Sequence, residues 1–226
     1  MSPQILKKPI EVDNRLRRLR TSREQLIEVA EAMAAAANEC TANDPTGSRG
    51  WRSWQMGTRR NREIHSGREG WANDNEDQIP SILNEEIGVR IVVCNTDDGT
   101  CLNGRTPQNR SRKGPATQRL VDNNQGDLFE AGHIAHPDSV IRLRPVKTEA
   151  ASPDVRTYML CVFCQDDELR AELSFATRSS AGFFAKFEER IFISGGDAGK
   201  LDGVKRKESD DASEFEIPVK RKKSNS

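Results

Sequence analysis

Apolar residues along the chain fall into four stretches of different character. Between residues 12 and 40, Val12, Leu16, Leu19, Arg23, Leu26, Ala30, Met33, Ala37 and Cys40 recur at alternating spacings of four and three. That is a stripe on one side of a helix at the heptad period. Thr21 and Glu24 also have the spacing of a capping box, which would start a shorter helix and leave the basic part as a separate turn. Across residues 41–86 the periodicity lapses among Gly, Pro, Ser, Asn and Asp, and an extended linker is predicted. From residue 87 short apolar runs return. Gly88 to Asn95 is a short strand, apolar and β-branched apart from Arg90 and the closing Asn95, as expected where both faces are covered. Asp98-Gly99 signals a hairpin, with Thr100 to Leu102 as its returning arm, and Pro115 opens a short helix. Ser139 to Lys147 and Val155 to Cys164 are further strands, and a turn follows at Gln165 to Asp167. Leu169, Ala171, Leu173 and Phe175 alternate with Arg170, Glu172 and Ser174, the period of a half-exposed antiparallel strand. Phe183 to Phe187 fits helix or strand, and Arg190 to Ser194 reads as the last strand. From Gly195 the chain is glycine-rich and polar, and a disordered tail is expected.

The fold class that follows is α+β. Residues 1–40 form an N-terminal amphipathic helix, 41–86 a linker containing Trp and Arg, 87–194 a small antiparallel β-sheet domain, and 195–226 a disordered basic C-terminal tail. The cluster Arg15, Arg17, Arg18, Arg20 and Arg23 ahead of the heptad stripe is similar in pattern to a basic-leucine-zipper arrangement. Beyond Leu26, however, its core positions are Ala30, Met33, Ala37 and Cys40, where the alanines bury little area, and no asparagine of the usual basic-region kind follows. The plainer expectation is a helix packed on the domain, or on its twin in a homodimer formed through residues 12–40.

Composition agrees with a modest core. Of 226 residues, 35% are hydrophobic and 31% charged, and mean hydropathy is −0.75. The 35 basic and 35 acidic residues cancel, so any polyanion-binding signal is local rather than global. No run is long and apolar enough for a bilayer, and Met1 to Lys8 lacks the apolar core of a secretory signal. Five cysteines without dense spacing suit reduced thiols. A cytoplasmic protein is expected in a prokaryote. In a eukaryotic cell, Lys205, Arg206 and Lys207, followed after twelve residues by Lys220, Arg221, Lys222 and Lys223, resemble a bipartite nuclear-localisation signal.

Candidate chemistry concentrates where acids are missing. Gly99 to Val121 holds no Asp or Glu, and within it Arg105, Asn109, Arg110, Arg112 and Lys113 are donors suited to phosphate. Trp51, Trp54 and Trp71 alternate with arginines in the manner of groups that stack on unpaired bases. Nucleic-acid binding, DNA or RNA, by an accessory or regulatory protein without cofactors is therefore the expectation. Two alternatives stand beside it. One is a metal-dependent enzyme acting on nucleic acid or nucleotides through Asp97 and Asp98, with Glu85 and Glu86 before the same strand. The other is an adaptor that binds protein through the N-terminal helix. Cys161 and Cys164 have the spacing of a zinc half-site, but on a strand they point to opposite faces and read as structural thiols. His133 and His136, flanked by Gly132 and Pro137, read as a solvated loop.

Overall fold

A computed structural model describes residues 2–124, 155–165 and 168–199. The strand expected at Ser139 to Lys147, His133 and His136, and the basic clusters of the tail lie outside the described residues.

The elements in chain order are β1 (Gln4–Leu6), α1 (Pro9–Arg18), α2 (Arg23–Asn38), α3 (Ser48–His65), β2 (Trp71–Asp74), a 3-10 turn at Glu76–Gln78, β3 (Ser81–Asn84), β4 (Val89–Asn95), α4 (Pro115–Asn123), β5 (Arg156–Gln165), β6 (Glu168–Ser180) and β7 (Phe183–Ser194). The seven strands form one sheet in the order β1-β7-β6-β5-β4-β3-β2. Two neighbouring pairs, β4/β5 and β1/β7, run parallel, and the rest are antiparallel. The α+β expectation holds. No helix among the described residues is long and apolar enough to cross a membrane.

Both faces of the central strands are covered, which is why β4 and β5 carry continuous apolar runs. Ile91, Val93, Tyr158, Leu160 and Val162 join the core beneath α1, α2 and α3. Val92, Cys94, Met159 and Cys161 alternate to the opposite face, where Val121 of α4, Phe184 and Phe187 pack. The heptad stripe is used up inside the chain. Val12, Leu16, Leu26, Ala30 and Met33 are fully buried in the first core, so they present no apolar seam to a second copy. The stripe is also broken in the middle. Arg20, at φ +52°, ends α1 with Thr21 N–H donating to Leu16 O and Arg20 N–H to Arg17 O, the paired bonds of a Schellman stop. Ser22 and Gln25, one residue after the expected pair, then form the capping box of α2.

The expected linker is instead an 18-residue helix followed by two strands. The buried face of α3 is Ser53, Gly57, Thr58, Asn61, Ile64 and His65, small and polar where apolar periodicity would be sought. Its partner is the alanine-rich α2. A Cβ on Gly57 would stand 2.4 Å from Met33 Cγ and 3.0 Å from Val93 Cγ1, so the helix lies against both α2 and the sheet. Most arginines of this stretch are consumed locally. Arg52 pairs with Glu39, Arg59 and Arg60 with Glu63, and Arg62 donates to Ser81 O and Asp74 O. Trp71 is buried, edge-on to His65, and its Nε1–H donates to Arg20 O at 2.8 Å. Burial holds His65 below the usual imidazole range, in keeping with a neutral ring between Thr21 Oγ1 and Asn61 O.

Close packing of α3 makes a direct prediction. Gly57→Val should lower the unfolding free energy by about 1–3 kcal/mol in urea denaturation, because the added methyls overfill the contact with Met33. Gly57→Ala should cost less, since helix propensity offsets part of the strain. An unchanged midpoint for the valine variant would contradict the contact.

Candidate nucleic-acid interface

Strand β3 pairs with β4 only from Val89 to Ile91, so the outer edge of β4 from Val92 to Asn95 has no strand beside it. The first half of α3 fills part of that edge, and Asn95 joins the two. Its Nδ2–H donates to Gly50 O at 2.7 Å, its Oδ1 accepts from Ser53 Oγ at 3.0 Å, and its backbone O accepts from Arg110 N–H at 3.1 Å. One residue thus sets the distance between α3 and the basic loop.

That loop, residues 96–114, does not form the hairpin expected at Asp98-Gly99. Asp97 and Thr100 close a tight turn, and the strand-like return comes later, at Thr96 opposite Asn109. Cys101 N–H instead meets the Glu172 carboxylate at 2.6 Å. The alternation along β6 is read differently too. Glu172 and Ser174 are fully buried and Arg170 is nearly so, because the loop lies over that face of the sheet.

The centre of the covered face is an ion pair between Glu172 and Arg190, 0% and 3% exposed. Arg190 makes two bonds to the carboxylate, at 2.9 and 2.6 Å, and its remaining N–H groups reach Gly99 O, Leu102 O and Arg105 O. Ser174 Oγ and Cys101 N–H complete the carboxylate's shell. The loop's far end is clamped at the β6–β7 turn, where Ala181 and Gly182 are both left-handed, at φ +52° and +87°. Asn109 Nδ2 and Lys113 N–H both donate to Gly182 O at 2.9 Å, and Asn109 Oδ1 accepts from Phe184 N–H. A Cβ at Gly182 would collide with Arg112 Cγ at 2.4 Å and Lys113 O at 2.9 Å.

These constraints sort the expected site residues. Asn109 is buried with its amide fully used in the fold, so it has nothing left for phosphate. Arg105 is neutralised by a two-bond pair with Asp98, at 2.9 and 2.8 Å. Trp71 belongs to the core. The remaining residues do converge. Trp51, Trp54, Arg110 and Lys113 line one cavity of about 500 Å³ at the C-terminal ends of β4 and β5. Arg49 joins them, held by Asn38 Oδ1 at 3.0 Å. Arg112 is exposed on the same loop, outside the lining.

No carboxylate lines this cavity. Acids near the loop have other partners; Asp97, Asp98 and Glu168 share a neighbouring cleft with Arg110 but do not line this cavity. Asp74 and Glu76 pair with Arg90, and Asp77 pairs with Arg119. Asp97 Oδ1 accepts from Gly99 and Gln108 N–H, so Asp97 and Asp98 shape the turn. Glu86 pairs with Arg20 at the other end of β4, a strand length of roughly 20 Å away. No group of three or more His, Cys, Asp or Glu side chains that could hold a metal occurs among the described residues. Cys94 and Cys161 face each other in register on β4 and β5, and burial raises both thiols, with the Lys113 ammonium opposing the rise.

No family model, curated protein or solved structure matches the chain. What the cavity can bind follows from its shape and charge. Three cations, two indoles and no acid offer electrostatic attraction to phosphate beside aromatic faces for a base. Ser53, Asn95, Glu172, Gly182 and Arg190 are the positioning residues whose roles pattern reading passes over. The available signal is an asparagine ending the apolar run Ile91 to Cys94.

The loop's dependence on Arg190 is testable. Arg190→Met strands a buried carboxylate and should cost about 3–5 kcal/mol in urea unfolding. Replacing both Glu172 and Arg190 with leucine should recover much of that loss, while the 99–105 carbonyls stay without their donor. A near-neutral Arg190→Met would contradict the pair's place in the fold.

Proposed function

We propose that the protein binds nucleic acid in single-stranded form, as an accessory or regulatory factor, in the cavity between α3 and the basic loop. The observation that carries this reading is the meeting of Arg49, Arg110 and Lys113 with Trp51 and Trp54 around an acid-free concavity. Guanidinium and ammonium groups suit the backbone phosphates, and indoles give bases a stacking surface that tolerates any sequence. The concavity is recessed between a helix and a loop, which favours a flexible strand over a rigid duplex. Zero net charge is compatible with this: attraction to phosphate comes from a local cluster of cations and not from the charge of the molecule as a whole.

Salt dependence tests it. Affinity for a single-stranded oligonucleotide should fall steeply as salt rises, and Arg110→Gln with Lys113→Gln should reduce the log–log slope by about 0.7 per cation removed. Arg105→Gln, whose guanidinium is already paired with Asp98, should leave the slope unchanged. An unaltered slope in the double variant would remove the cavity from the account.

A further inference from the structure

Trp54 and Lys113 are walls of two cavities. Beyond the cationic one lies a second, of about 210 Å³, against the unpaired edge of β4. Ile79, Pro80, Val92 and Met159 give it apolar walls, and Gln78, Lys113 and Thr117 stand among them as polar residues. The turn that carries Ile79 and Pro80 has two successive non-glycine residues in left-handed conformation, Asp77 at φ +54° and Gln78 at φ +62°. Asp77 is tied to Arg119 of α4 at 2.7 Å, which links the turn on one side of the cavity to the helix that contributes Thr117.

Resting on the reading of the cationic cavity as a phosphate site, we propose that this second cavity receives a single unpaired base of the bound strand. Size sets the occupant. An apolar cavity of about 150 Å³ holds benzene, and drug-sized ligands take about 300 Å³ or more, so the space suits one heterocycle. Charge sets its attachment. The base enters beside Lys113 while its flanking phosphates lie on Lys113, Arg110 and Arg49, and Trp54 offers its ring between the two compartments. The Gln78 amide and Thr117 hydroxyl can hydrogen-bond a base edge. A base in a duplex cannot enter without leaving its stack, so the substrate class is a strand with at least one unpaired nucleotide.

The test compares an oligothymidylate with a strand of equal length whose sugars carry no bases, titrated against the full chain at several salt concentrations. The base-bearing strand should bind at least 10-fold more tightly, and both should weaken with salt. Thr117→Trp, which fills the cavity from α4, should shrink the difference several-fold, to the part that stacking on Trp51 supplies, and leave affinity for the baseless strand intact. Equal, salt-dependent affinities for the two strands in the unaltered protein would overturn the base pocket and leave the phosphate reading standing. A preference undiminished by Thr117→Trp in a folded variant would place the base elsewhere and overturn the pocket as well. Absence of salt-dependent binding to either strand would overturn both.

Discussion

A carboxylate and a guanidinium sealed beneath a loop organise one whole side of this protein. Glu172 and Arg190 lie on adjacent strands, and neither tolerates burial alone. Their pairing leaves Arg190 with N–H groups to spare, and these fall on three carbonyls of residues 99–105. An irregular segment is thereby laid across a sheet face with three of its carbonyls satisfied by one guanidinium. The segment continues to Asn109, which locks onto the β6–β7 turn, and then to Lys113. Arg110 and Lys113 reach the cavity because the residues before them are fixed.

The opposite wall depends on a different constraint, close approach of two helices. Alanines on α2 and Gly57 on α3 bring the helices together, and Asn95 ties the start of α3 to the end of β4. Trp51 and Trp54 are consequently carried on a rigid element and face a loop that is also pinned. Both walls are set by groups that would not touch a ligand, which is how a surface is made ready before binding.

Much of the sheet was legible in the sequence. Continuous apolar runs marked β4 and β5, alternation marked β6, and Pro115 marked α4. Three features were not, each for a physical reason. Helix α3 escaped because its buried positions are Ser, Gly, Thr and Asn, which pack well only against a partner as small as α2. Glu172 looked solvent-facing, and Arg190 only the start of a strand, because strand periodicity identifies a face but cannot say that a loop covers it. The site was half visible. The acid-free loop and the tryptophans stood out, yet nothing local distinguished Arg110 and Lys113 from Arg105 and Asn109, whose side chains are spent on Asp98 and Gly182. Likewise Trp71 shares its glycine-rich surroundings with Trp51, and only the tertiary fold buries the one and exposes the other.

The central claim is that bound nucleic acid lies between α3 and the basic loop. Ultraviolet cross-linking of an oligothymidylate to the intact protein, with the adducts mapped by peptide mass, tests it most directly. The account predicts adducts on the segment holding Trp51 and Trp54 and on that holding Arg110 to Lys113. Adducts confined to the arginine cluster of residues 15–23, with both cavity segments unmodified, would contradict it.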